Sequence, residues 1–204
     1  MKTALLLVDL QNDFFAGGAL PVSDGDAVVE PVNRLIGVFR RKSLPVFATR
    51  DWHPENHCSF EDQGGPWPRH CVRGTKGAAF DPRIRLPADA IVISKAQSPE
   101  ADAYSGFQGT DLAKRLEALD VSAVVVGGLA TDVCVEKTVL DALDAGLDVT
   151  VIREAVSGVD ATPGDSEKAL ASMREKGASI LLIDDFLGLF RVIWGVRAVP
   201  NRIP

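Results

Sequence analysis

Cysteine, histidine, methionine and tyrosine are all scarce in this chain, whose 204 residues include three cysteines, three histidines, two methionines and one tyrosine. Three cysteines are an odd count and a poor disulfide framework, so an apolar core has to hold the fold. In a reducing compartment a cysteine is kept for packing, metal binding or chemistry. Long apolar runs are also missing: nothing approaches the ~18 residues that read as a membrane-spanning helix. Lys2 and the apolar residues 4–8 begin as a secretion signal does, but Asp9 breaks the run and no small-residue cleavage site follows. The segment therefore reads as a first strand, and the expected location is cytoplasmic. Basic excess is missing too, and a net charge of -6 argues against nucleic acid or an anionic membrane as partner. There is no G-x-G-x-x-G and no Walker loop, which argues against a nucleotide cofactor. No repeats or low-complexity segments occur.

What is present suits one globular domain over residues 1–204, with 46% hydrophobic and 25% charged residues supplying one core and a solvated surface. Nearly continuous aliphatic runs at 4–8, 45–49, 90–94, 123–127, 149–152 and 179–183 read as strands covered on both faces. Between them, 28–41, 111–119, 133–145 and 165–176 carry apolar residues at helical spacing, and Gly146 and Gly177 fall where helix C-caps belong. The alternation predicts an α/β fold: a doubly wound, mostly parallel six-stranded sheet with helices on both faces. The stretch 50–87 is rich in Gly, Pro and polar residues, and so long a loop in a compact domain calls for a functional reason. The tail, 186–204, carries the apolar cluster FLGLFRVIW, expected to pack on its own domain, with a subunit contact as the alternative.

Ligands of open parallel sheets bind beyond the carboxyl ends of the strands, so the residues that follow each strand matter most. Asp9 follows the first, Asp51 and His53 the second, Lys95 the third, and Cys134 lies just past the fourth. Singly, each is an ordinary strand-end residue; together they offer a carboxylate, an ammonium, a thiol and imidazole. Cys134 stands at the expected start of a helix, with Thr131 or Asp132 as candidate N-cap. Exposed N–H groups there, and Lys95 nearby, favour thiolate over thiol, and the same N–H groups could hold an oxyanion. The competing reading is an inert packed cysteine. No histidine follows Cys134, so a papain-like pair is disfavoured if the histidines bind metal. Asp9 is the remaining candidate base, with burial and a neighbouring lysine pulling its pKa in opposite directions.

All three histidines lie between 53 and 70, in RDWHPENH and PWPRHC. Asp51 and His53 point the same way in an extended segment, and His57 and His70 could join them. One carboxylate and three imidazoles suit one divalent transition metal: zinc first, iron or manganese next. A structural zinc site of His57, Cys58, His70 and Cys71 is the second reading of the loop, and a polar loop of unligated histidines the third. Phe14, Trp67 and Tyr104 near these motifs offer flat walls for a flat aromatic ligand.

VDLQNDF, DWHPENH with PWPRHC, the lysine closing IVISK, AYSGF and GLATDVCV occur in an order that resembles the motifs of the nicotinamidase/pyrazinamidase family of isochorismatase-like cysteine hydrolases. The match runs from about residue 4 to 156. The resemblance implies an isochorismatase-like hydrolase fold and a catalytic triad of Asp9, Lys95 and Cys134. It further implies an oxyanion hole from the N–H groups of Ala130 and Cys134, beside a cis peptide between Leu129 and Ala130. Asp51, His53 and His70 would hold the metal, with His57 close or ligating, and the metal would take the ring nitrogen of a pyridine carboxamide. Phe14, Trp67, Tyr104, Leu129 and Ala130 would contact that substrate. The implied reaction converts nicotinamide to nicotinate and ammonia, and by extension pyrazinamide to pyrazinoate, through a cysteine thioester in NAD salvage. A homo-oligomer stays open. The rivals are a sister amidase for another small amide or N-carbamoyl compound, a non-cysteine relative, and a silent metal-binding module.

Overall fold

A computed structural model describes residues 2–193, with side chains to Phe190. Six strands, β1 (Lys2–Val8), β2 (Val46–Asp51), β3 (Ile91–Lys95), β4 (Val121–Leu129), β5 (Asp148–Ser157) and β6 (Ser179–Leu181), form one sheet in the order β3-β2-β1-β4-β5-β6. Every pairing is parallel. Five α-helices, α1 (Val29–Arg41), α2 (Leu112–Ala118), α3 (Glu136–Asp144), α4 (Asp165–Glu175) and α5 (Ile183–Ile193), cover it.

The pleat of β1 divides the core. Leu5 and Leu7 join one apolar cluster with α1 and α5, while Ala4, Leu6 and Val8 join the other with α2, α3 and α4. In α1 the buried residues Val32, Leu35, Ile36 and Phe39 recur at helical spacing, leaving Glu30, Arg40 and Arg41 outward. Phe39, fully buried against Phe190, contributes about 1.5–3 kcal/mol by leaving water.

Several boundaries differ from the sequence pattern: β1 begins earlier, at Lys2, β2 runs on to Asp51, and α3 begins later, at Glu136. β4 and β5 run longer than expected, to Leu129 and Ser157, with a register shift between Val126 and Gly128. Ile183 is not strand but the first residue of α5, which the apolar cluster alone did not reveal as a helix. Phe186, Leu187 and Phe190 are buried in the domain core, so the described part of the tail packs on its own domain; residues 194–204 lie outside the described residues. No helix among the described residues is long and apolar enough to cross a membrane.

Candidate active site

From β1 the chain winds outward through β2 and β3, then returns to place β4 on the other side of β1. The loops leaving β1 and β4 therefore part, opening the crevice where ligands of such sheets bind. Asp9 follows β1 directly, and the segment from Ala130 to Cys134 follows β4. Asp51 and Lys95 close β2 and β3 and are register partners, so their side chains leave the same face together.

Lys95 is the hub. Its Nζ lies 2.5 Å from Asp51 Oδ1, 3.0 Å from Asp9 Oδ2, 3.1 Å from the Ala103 carbonyl and 3.6 Å from Cys134 Sγ. The Asp9 contact is ionic more than directional: Oδ2 has no hydrogen bond of good geometry, while Oδ1 accepts one from Thr49 Oγ1 at 2.6 Å. One carboxylate oxygen of Asp9 is thus committed, and the other stands among the reacting groups.

Burial settles the competition over Asp9: it outweighs Lys95, and the pKa rises above 3.8. Asp51 goes the other way, because Lys95 and the flanking imidazoles overcome its burial. Lys95 is held firmly as ammonium, since the two carboxylates more than offset its desolvation. For Cys134 the expectation of a favoured thiolate is overturned. Burial, reinforced by Asp9 and Asp51, pushes the thiol well above its ordinary value despite Lys95. The resting group is a neutral thiol with a carboxylate beside it.

The segment carrying Cys134 is also not the simple helix start expected. Thr131–Val135 forms one π-helical turn before α3, a distortion often found at functional sites. Neither Thr131 nor Asp132 caps it: the turn has no side-chain cap, and Thr131 Oγ1 has no partner. Asp132 reaches away, accepting from Val159 N–H at 2.9 Å and Asp160 N–H at 2.8 Å, which ties the turn to the exit of β5. The peptide between Leu129 and Ala130 is cis.

Asp51, His53 and His70 come together, with one potential ligand atom from each lying within 4.8 Å of the others. His53 is buried, and neither ring nitrogen has a hydrogen-bond partner. Its pKa is lowered to about 4, chiefly by burial, so its 3.8 Å approach to Asp51 is not an ion pair at neutral pH. A neutral imidazole with an unshared lone pair beside a carboxylate and a second imidazole fits a divalent metal. His70 Nδ1 is held by the Pro68 carbonyl at 2.8 Å, which leaves Nε2 for a ligand role. The His57 ring lies 4.2 Å from that of His53, tilted by 40°, but Ser59 Oγ meets its Nδ1 at 2.7 Å and the Ala101 carbonyl its Nε2 at 3.3 Å. Cys71 is buried in the core and Cys58 is half-buried; neither falls in a cluster of potential ligands among the described residues.

Sequence reasoning missed Phe60. It is fully buried and meets His53, His57 and His70 edge-on at 5.5, 5.8 and 5.8 Å, an apolar floor under all three imidazoles. The only signal for it was its place between the two histidine motifs, among the aromatic residues Trp52, Trp67 and Phe80 of the same loop.

These groups open into one narrow cavity, lined by Phe14, Trp67, Tyr104 and Ala130 together with Asp51, His53, His70 and Cys134. Trp67 Nε1 donates to Tyr104 Oη at 3.0 Å, joining two loops across the rim. Asp102 and Ser59, also unforeseen, add polar groups to a lining otherwise extended by apolar residues such as Leu20, Val22 and Val133, whereas Leu129 packs into the core behind it.

Residues 3–185 match the isochorismatase domain. The chain is 42% identical to the nicotinamidase of Escherichia coli (strain K12), over 90% of this chain and 96% of that protein. A pyrazinamidase of Pyrococcus horikoshii, solved in complex with zinc, superposes with a TM-score of 0.86 at 50% identity, covering 89% of this chain and 99% of that one. PnC1 from L. infantum, solved with nicotinate, gives 0.82 at 35% identity, covering 89% and 92%. By this family match and these identities, the chain belongs to the isochorismatase domain family, among its nicotinamidase and pyrazinamidase members.

Proposed function

We propose that this chain hydrolyses nicotinamide to nicotinate and ammonia, and pyrazinamide by the same chemistry, with Cys134 as nucleophile. The observation that carries this reading is the shared cavity: Cys134 and the unpartnered ring nitrogens of His53 belong to one aromatic-walled pocket. A thiol at one end and a ligand-hungry metal site at the other suit a flat ring with a carboxamide on one side and a basic nitrogen on the other.

In this reading Asp9 takes the thiol proton, for which its raised pKa makes it a better base than an ordinary carboxylate. Lys95 stays charged and balances the anion that results. The thiolate attacks the carboxamide carbon, and the N–H groups of Ala130 and Cys134 receive the oxyanion. Asp9 returns its proton to the leaving nitrogen, ammonia departs, and a thioester remains on Cys134. Water activated by Asp9 hydrolyses it, releasing the acid and restoring the thiol. Phe14 and Trp67 hold the ring between them, and Tyr104 steadies Trp67. Asp51, His53 and His70 would hold the metal, with His57 beside them; the P. horikoshii relative was solved in complex with zinc. When bound, the metal supplies a Lewis acid that grips the ring nitrogen and orients the substrate. We place the enzyme in NAD salvage in the cytoplasm.

The test is ammonia release from nicotinamide by zinc-loaded protein, with benzamide as the control lacking a ring nitrogen. Turnover of nicotinamide far above benzamide is expected. Equal turnover would keep the triad and remove the metal's orienting role, and none from either would move the reading to a sister amidase.

A further inference from the structure

The motif VDLQNDF contributes Asp9 and Phe14 to the mechanism above, which leaves Gln11 and Asp13 without a role. Gln11 is fully buried, and its carboxamide is completely used. Oε1 accepts from Asp51 N–H at 2.7 Å, while Nε2 donates to the Asp51 carbonyl at 2.8 Å and the Ala78 carbonyl at 2.9 Å. The reason lies in the sheet. The register of β1 with β2 runs to Leu7 and Ala48, and its last backbone bond goes from Asp9 N–H to the Thr49 carbonyl at 3.3 Å, so β2 continues to Asp51 without a neighbouring strand on that side. The Gln11 side chain supplies the missing rung, giving Asp51 both backbone bonds that a strand would have provided.

Asp13 does the same for the histidines. Its Oδ2 accepts from Cys71 N–H at 2.7 Å and its Oδ1 from Ala19 N–H at 3.2 Å. Cys71 directly follows His70, has φ of 46°, and offers its carbonyl to His53 N–H at 3.1 Å. One carboxylate therefore fixes a left-handed backbone position that controls His70 on one side and His53 on the other. Gly77 packs so closely on it that a Cβ there would lie 2.1 Å from Asp13 Oδ2.

We propose that Gln11 and Asp13 are positioning residues of the metal centre, Gln11 setting Asp51 and Asp13 setting His53 and His70. The proposal rests on those three residues being the metal ligands. Groups behind the ligands typically govern metal affinity by about 10–100-fold.

The experiment measures zinc affinity of the full chain by competition with a chromophoric chelator, for wild type, Gln11→Met, Asp13→Ala and Asp13→Asn. Gln11→Met and Asp13→Ala should each weaken zinc binding by about 10–100-fold. Asp13→Asn, which keeps an acceptor for Cys71 N–H, should recover most of the loss. Amidase activity of the weakened variants should return when zinc is raised. Phe39→Leu, at the far end of α1 from the crevice, serves as the stability control: it should lower the melting temperature and leave zinc affinity unchanged. If Gln11→Met does not fold, Gln11→Glu replaces it, losing both donors at nearly constant shape. Unchanged zinc affinity in Gln11→Met and Asp13→Ala overturns the proposal, as does an equal loss in Phe39→Leu. A wild type that takes up no zinc overturns the ligand assignment itself, and that outcome is visible before any variant is made.

Discussion

Replacing Lys95 with Met keeps the length of the side chain and removes the ammonium that faces Asp9, Asp51 and Cys134 at 3.0, 2.5 and 3.6 Å. All of these groups are buried, so water is a poor substitute for the lost partner. Breaking a buried ion pair by deleting one member costs about 3–5 kcal/mol, because the other charge is left uncompensated. For a chain of this size each kcal/mol moves the melting temperature by about 2–4 °C, so Lys95→Met should melt about 6–20 °C below wild type. The deficit should also depend on pH with a definite sign. Asp9 already titrates above 3.8 in the fold, and Lys95 is the largest influence holding it down. Without Lys95 its folded pKa climbs further. A carboxyl raised in this way stabilises the fold below its unfolded pKa, and that contribution is lost as pH rises through the folded pKa. The penalty of Lys95→Met should therefore grow between pH 4 and pH 8. Urea unfolding of chelator-treated protein at several pH values measures it without interference from bound metal. A penalty below about 1 kcal/mol at pH 8, or one that shrinks as pH rises, would refute the buried-charge account.

Cys134→Ala should lower turnover by at least about 10⁴-fold while leaving circular dichroism and zinc content as in wild type; appreciable residual hydrolysis would remove Cys134 as nucleophile. His53→Ala should lose zinc by elemental analysis and raise KM for pyridine carboxamides, and undiminished zinc would sink the ligand assignment. Gly158→Ala would set a Cβ 1.9 Å from Ser166 Oγ and 2.9 Å from Asp132 Oδ1. It should cost about 1–3 kcal/mol by overpacking. In a double-mutant cycle with Ser166→Ala, part of that cost should disappear, and strict additivity would show that the clash is absorbed elsewhere.

The six strands and four of the five helices were legible because their signals are local: aliphatic runs for strands covered on both faces, and helical spacing such as that of Val32, Leu35, Ile36 and Phe39. Gly146 and Gly177 adopt the positive φ that helix ends ask of glycine. α5 was missed although Ile183, Phe186, Leu187 and Phe190 stand at helical i, i+3, i+4, i+7 spacing, because Ile183 reads as the end of the preceding strand and apolar residues such as Leu189 on the outer face blur the stripe. Thr131 and Asp132 have the residue types of helix caps, yet Asp132 is claimed by backbone N–H groups of Val159 and Asp160, nearly thirty residues away.

The sequence by itself determined which chemical groups are available and that strand order would deliver Asp9, Asp51, Lys95 and Cys134 to one edge of a parallel sheet. Side-chain type and strand-end position are one-dimensional facts, and the sheet rule converts them into a shared location. Only the tertiary structure decided what those groups are when they arrive. Cys134 is a thiol and not a thiolate, Asp9 is raised and Asp51 lowered, and His53 is left with unused nitrogens while the ring nitrogens of His57 are occupied. Each outcome depends on burial and on distances of a few ångströms between segments far apart in the chain, and no local pattern encodes those.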